Sequence, residues 1–380
     1  ACAYTGFSIT ATALSTFPRR KLLRERIIML GISTFIGLIA VEILVRILSP
    51  PSVFSTSIQF IPHQNLSINV DLPGMSPLIT HTTNSMGFRG EEPPADWDNW
   101  FTIVTIGGST THCYYIDDQK TWPHLLQDAL QRARPDTWVG NAGFCGHSTR
   151  AHIVVMREVI PKVIPDMVVL LIGTNDVVYS TRMDPEGEGI GTEKPTLGHK
   201  VISSSRLLQL LNTWIRGSFG EVHLLTENLP PYIHIPMDGP EMGLPDDIRD
   251  LCTSLDEYHN NIMEIIRLGR VSGVQLLFMT QPSLWEDSDY WRGIQESYYW
   301  NASENNRLSA ATVWRMLDTF NLELIEICNS EDIPCLDLAS MVPHSPEFFY
   351  DGMHLNEAGA SLVSDLLSDF IIDENLMEEQ

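Results

Sequence analysis

The sequence predicts an α/β fold, a doubly wound parallel sheet of about five strands flanked by helices, preceded by one N-terminal transmembrane helix. Two observations predict the sheet. Short apolar runs such as FTIVTIG (101–107) and DMVVLLIG (166–173) do not alternate with polar residues, as expected of strands buried on both faces. Most are followed by a segment with helical spacing, WPHLLQDALQRAR after the first, so the chain crosses over and the strands run parallel. A third observation predicts the leading helix: residues 27–48, IIMLGISTFIGLIAVEILVRIL, are apolar for long enough to cross a bilayer.

Taken in order, residues 1–26 read as a cytoplasmic segment and 27–48 as the anchor. Arg19, Arg20, Lys21, Arg24 and Arg26 precede the apolar stretch, and no Lys or Arg lies between Arg46 and Arg89. That imbalance sets the N-terminus in the cytoplasm and the rest of the chain outside it, in a periplasmic or extracellular setting. Glu42 and Arg46, near the end of the stretch, can reach the interface along their own stems. LSPPSVFS, which follows, is a poor cleavage site, so an uncleaved anchor is expected rather than a signal peptide or a core helix.

Residues 49–100, rich in Pro, Ser and Asn, read as a stalk and lead-in. From 101 to 373 the strand and helix patterns follow one another. TWVGNAG precedes RAHIVVMREVIPKVI, DMVVLLIG comes next, and LDEYHNNIMEIIRLGRVSG leads into VQLLFMTQ. VWRMLDTFNLELIEICNSE, PCLDLAS and NEAGASLVSDLLSDFII complete the series. Two stretches break the rhythm and read as insertions over the site edge. One, at 178–250, has many Gly and Pro; the other, at 282–306, carries Trp285, Trp291, Tyr298, Tyr299 and Trp300. A lid or substrate wall is one role for these aromatics, and simple packing the alternative.

The composition, 43% hydrophobic and 19% charged, is that of a globular protein. With 48 acidic against 24 basic residues the net charge is −24, which argues against a nucleic-acid partner, since phosphate binding relies on clustered Lys and Arg. No G-x-x-x-x-G-K loop and no His/Cys/carboxylate cluster with ligand spacing is present, so no cofactor and no metal is expected. The six cysteines leave disulfides open. Cys328 and Cys335 could close the loop CNSEDIPC or remain buried thiols, and Cys113 and Cys145 each flank a candidate site loop.

In doubly wound sheets, ligands bind beyond the carboxyl ends of the strands. There this chain has Gly107-Gly108-Ser109, then Asn141 to His147, then Gly173-Thr174-Asn175-Asp176, and last Asp351-Gly352-Met353-His354 before a helix that Asn356 would cap. Acyl transfer by a serine needs a base, a group to orient it and donors for an oxyanion. Ser109 supplies the hydroxyl, His354 and Asp351 the base and its partner, and Asn175, Gly146 and the Ser109 backbone the N–H groups. His112 and His147 flank these loops. Asp176 is expected to be a structural hydrogen-bonding residue.

These four segments resemble the SGNH hydrolases, also called GDSL esterases and lipases, whose blocks carry Ser, Gly, Asn and an Asp-x-x-His pair in this order. The resemblance runs from about residue 83 to 370. It implies a flavodoxin-like SGNH fold, Ser109, His354 and Asp351 as catalytic triad, and Ser109, Gly146 and Asn175 as oxyanion hole. Gly146 is preferred to Gly143 because the family's residue is the later glycine of N-x-G-x-x-G. One departure stands out: the usual Gly-Asp-Ser is Gly107-Gly108-Ser109 here. Gly-Gly-Ser-Thr, and TNSMGFRG at 83–90, are similar to membrane-tethered members.

The implied activity is a serine esterase hydrolysing carboxylic esters, with short-acyl (O-acetyl) groups on a glycan or small molecule as expected substrates. Its partners would be that ester, an acylated glycan or a lipid, and the membrane through the N-terminal helix. Two alternatives use the same fold: an O-acetyltransferase for cell-surface polysaccharide, and a catalytically silent binding protein.

Overall fold

A computed structural model of the chain describes residues 16–48, 60–181, 205, 247–285, 301–303, 306–307 and 310–378. The chain divides into two units, residues 1–51 with 195–220, and 52–194 with 221–380. Among the described residues the first contains one helix, Thr16–Leu48, that starts earlier than the apolar pattern does. Its stretch Arg24–Leu44 is long and apolar enough to cross a membrane and contains no buried residue in its most apolar window, which makes it a candidate transmembrane span. Glu42 within it accepts a hydrogen bond from Ser205 Oγ at 2.8 Å.

The second unit is built on the sheet the apolar runs predict. Before it comes an antiparallel pair, β1 (Asn65–Asn69) and β2 (Leu78–Thr82), in the segment expected as stalk and lead-in. The main strands are β3 (Phe101–Gly107), β4 (Thr137–Asn141), β5 (Met167–Leu171) and β6 (Gln275–Met279). After a small pair, β7 (Asn301–Ser303) and β8 (Asn306–Arg307), β9 (Cys335–Leu336) completes the sheet. Its order is β4-β3-β5-β6-β9, every neighbour parallel.

Alternate residues of each strand face opposite layers. Val104, Ile106, Val168, Leu170 and Phe278 belong to the core under helices Thr149–Glu158, Leu255–Ser272 and Ala310–Glu331. Ile103, Val169, Leu171, Leu277 and Met279 belong to the core under helices Trp122–Gln131 and Glu357–Asp373. Both faces are therefore apolar, which is why no alternation is legible in the strands. Asn356 caps the closing helix, its Oδ1 accepting from Gly359 N at 3.0 Å.

The chain enters at β3, steps to β4 on one side, then returns to β5 on the other. Strand order reverses between β3 and β5, so the loops leaving these two strands diverge around a crevice. Ser109 follows one and Asn175 the other. Of the two expected insertions, residues 182–204, 206–246 and 286–300, including Trp291, Tyr298, Tyr299 and Trp300, lie outside the described residues. Trp285 is buried, and a side chain at Gly352 would come within 2.4 Å of its Nε1, so this ring packs beneath the Asp351–His354 loop.

Candidate active site

The break after β3 is glycine for steric reasons. A Cβ at Gly107 would fall 2.0 Å from Thr111 Oγ1 and 2.6 Å from the Leu171 carbonyl on β5. A Cβ at Gly108 would fall 2.5 Å from Asn175 Nδ2 and 3.2 Å from the His147 carbonyl. With this placement of Asn175, the second glycine of Gly-Gly-Ser leaves no room for the family's aspartate. Ser109 then opens the short helix Ser109–His112, where its backbone N–H has no intrahelical acceptor.

Three side chains lie in series at this rim. His354 Nε2 is 2.7 Å from Ser109 Oγ, and His354 Nδ1 is 2.7 Å from Asp351 Oδ2. Asp351 is 2% exposed, and its other oxygen accepts the backbone N–H groups of Met353 at 2.8 Å and His354 at 2.7 Å. The loop thus closes on its own carboxylate, and the imidazole between acid and hydroxyl is fixed in orientation.

The opposite wall is the turn after β4. Gly143 N–H is taken by Asn141 Oδ1 at 2.9 Å, and a Cβ at Gly143 would meet His112 N at 2.5 Å, so this glycine serves the turn itself. Gly146 has φ +80°, the left-handed region that favours glycine. Asn175 Nδ2 donates to the His147 carbonyl at 2.8 Å, which spends one of the amide's two N–H bonds. The next residue grips the helix that follows this turn: Asp176 accepts from Thr149 Oγ1 at 2.5 Å and from Thr149 N at 3.2 Å. Burial raises the Asp176 carboxyl to about 7, against the opposing pull of the Thr149 hydrogen bonds.

Sequence reasoning singles out every residue of the triad arrangement but gives no role to Arg89, the arginine of TNSMGFRG. Arg89 is 3% exposed. Its guanidinium donates to the carbonyls of His112 (2.7 Å), Cys113 and Ile116, and to Asp118 Oδ1 at 2.8 Å. One buried cation therefore holds the loop that leaves the short helix opened by Ser109. Charge next to a glycine turn was the available signal; the partners, some two dozen residues away, were not.

The thiols are free among the described residues, Cys328 and Cys335 included. Cys113 and Cys145 do not form a bond: Cys113 Sγ donates to the Thr110 carbonyl at 3.3 Å, while Cys145 Sγ lies 3.3 Å from His112 Nδ1. Desolvation pushes the Cys145 thiol up to about 11 and His112 well below its ordinary value, so this pair is a neutral thiol beside a neutral imidazole, not an ion pair. The described residues hold no group of three or more metal-ligating side chains.

The fold and these loops define a doubly wound α/β protein with a serine, a histidine and an aspartate hydrogen-bonded in series at the strand ends. The chain belongs to the GDSL-like lipase/acylhydrolase family, which it matches over residues 105–362. Among curated proteins an arylesterase from Vibrio mimicus is 30% identical over 74 residues, 20% of this chain and 37% of that relative, so the match spans little more than a third of the relative's length. Solved structures similar to this chain include an acetylxylan esterase from Geobacillus stearothermophilus (13% identity, TM-score 0.41, covering 71% of this chain and 93% of that one). A GDSL-like lipase from Bacteroides thetaiotaomicron is similar at 13% identity and TM-score 0.39, covering 73% of this chain and 90% of that one.

Proposed function

We propose that this protein is a serine esterase that hydrolyses short-acyl, chiefly O-acetyl, esters of a glycan or small molecule. The observation that carries the reading is the unbroken series Asp351–His354–Ser109, with both links at 2.7 Å. Membership of an acylhydrolase family supports the same chemistry.

In the first half-reaction Ser109 Oγ attacks the ester carbonyl carbon while His354 Nε2 accepts its proton. Asp351 holds the imidazole in the tautomer that leaves Nε2 free to accept, and stabilises the imidazolium. The oxyanion forms against the backbone N–H groups of Ser109 and Gly146 and the second N–H of Asn175 Nδ2. Collapse of the tetrahedral intermediate breaks the bond to the alcohol oxygen, which leaves with the proton from His354. Water, deprotonated by the same imidazole, then attacks the acyl-serine and releases the acid. No step requires a cofactor.

The helix Thr16–Leu48 anchors this domain to a membrane, with the catalytic unit on the extracytoplasmic side. The basic residues Arg19 to Arg26 before the apolar stretch, and the lack of Lys and Arg from residue 47 to 88, support that orientation.

The test is hydrolysis of 4-nitrophenyl esters from acetate to palmitate by the wild type and Ser109→Ala, with release of free acid measured in the presence and absence of an acceptor glycan. Ser109-dependent cleavage that declines with chain length is the expected result. Acyl groups appearing on the glycan instead of as free acid would favour a transferase. No Ser109-dependent turnover and no fluorophosphonate adduct in folded protein would favour a silent binding protein.

A further inference from the structure

The rim around the triad carries rings where a lipid-binding groove would carry aliphatic side chains. His354 stacks on Tyr350 (5.4 Å, interplanar angle 5°), Tyr350 meets Tyr115 edge-on at 6.2 Å, and Tyr115 meets Tyr114 edge-on at 5.1 Å. The contacts continue from Tyr114 to His112 at 5.7 Å and from His112 to Phe144 at 6.1 Å. Phe144 then stacks on His147 at 4.7 Å. One end of this arc is the imidazole beside Ser109. The other is the turn that contains Gly146 and whose carbonyl holds Asn175. The series of rings is therefore tied at both ends to residues of the site.

Three further observations say what the arc fits. Phe144 is 36% exposed, and Tyr114 and Tyr115 are half-buried with hydroxyls that have no hydrogen-bond partner among the described residues. Flat apolar faces are thus offered together with polar edges. No Lys, Arg, Asp or Glu belongs to the series, and desolvation holds His147 at about 4 and His112 lower than its ordinary value, so both rings are neutral at pH 7. Finally, the arc is preorganised. Arg89 spends its guanidinium on the carbonyls of His112, Cys113 and Ile116 and on Asp118, which fixes the segment bearing Tyr114 and Tyr115.

We propose that this arc is the subsite for the alcohol half of the ester, and that this half is a neutral sugar ring. A pyranose has an apolar C–H face that packs on aromatic rings and a rim of hydroxyls that pairs with phenol and imidazole edges. An acyl chain has no use for the polar edges. An anionic sugar would find no available cation on the arc. The inference rests on the serine-esterase reading above and narrows its substrate to an acylated neutral glycoside.

The experiment compares kcat/KM for an O-acetylated methyl glucopyranoside, ethyl acetate and ethyl octanoate in the wild type, Phe144→Leu and Tyr115→Leu, with a thermal melt of each. Leucine keeps apolar bulk and removes the flat face. The expected result is a glycoside-to-ethyl-acetate ratio at least about tenfold lower in each folded leucine variant. In the wild type alone, unacetylated methyl glucoside at millimolar concentration should compete with ethyl acetate, which keeps the test open should a variant fail to fold. An unchanged ratio, a fall confined to the octanoate-to-acetate ratio, or no competition by the glucoside overturns the proposal. Absence of any Ser109-dependent cleavage of ethyl acetate instead overturns the esterase reading beneath it.

Discussion

The loop Asp351–His354 and the helix Thr174–Thr181 that follows β5 each bury an aspartate at the same rim, at 2% and 5% exposure, and they use it differently. Asp351 accepts two backbone N–H groups of its own loop and the Nδ1 side of His354, so its carboxylate reaches the Ser109 hydroxyl through one imidazole. Asp176 accepts from Thr149, the first residue of the helix after β4, and among the described residues no side-chain hydrogen bond joins it to Ser109, His354 or Asp351. Burial alone does not mark a catalytic acid. What differs is the partner: a titratable base aimed at a hydroxyl in one case, the start of a helix that must be held still in the other.

The contrast is sharpest at the hydroxyl. Ser109→Ala should abolish esterase turnover, by about 10^6-fold in kcat, with an unchanged melting profile. Loss of fold in this variant, or retained turnover, would break the distinction between the two regions. Asp351→Asn follows, with a fall of about 10^4-fold in kcat because an amide no longer holds His354 in the required tautomer. A pH–rate profile checks that the loss persists at all pH values where the wild type works.

Asn175→Ala takes one proposed oxyanion donor and also releases the His147 carbonyl. It should lower kcat by about 10^2- to 10^3-fold with a smaller effect on KM. Steady-state kinetics on one short-chain ester suffices.

The smallest kinetic effect belongs to Asp176→Asn, which preserves an acceptor for Thr149, and its signature is in stability. The carboxyl is raised from 3.8 to about 7 in the folded protein, so the native state holds a proton over that window that the unfolded chain has released. Its contribution to stability therefore falls as pH rises from about 4 to about 7 and is flat above. Asp176→Asn lacks this titration, so its melting temperature should gain on that of the wild type across the same window. A constant difference across pH 4–7 would show that Asp176 is not carrying its raised carboxyl into the folded state.

Much of the sheet was readable because its signal is local. β3, β5 and β6 are apolar on both sides, and each strand-end loop carries its own polar residues at short spacing. Asp351 and His354 stand three apart, so their pairing needs one turn of chain. The hairpin of β1 and β2 escaped notice because alternate residues of such short strands face solvent, and NLSIN and LITHT carry little apolar content. Arg89 escaped for another reason. Its partners lie at residues 112 to 118, and a single arginine does not announce three carbonyls. Trp285, grouped by sequence with a possible substrate wall, is buried beneath Gly352.

The sequence by itself determined the strand periodicity, the polar loops and the identity of each group a serine esterase would need, since these depend on neighbours a few residues apart. Only the tertiary structure decided that Ser109 and His354 meet, that Gly108 has no room for a side chain beside Asn175, and that the rings from Tyr350 to Phe144 form one border. Those facts depend on which loops the reversal of strand order at β3 and β5 brings together, and packing of distant elements, not local propensity, sets that order.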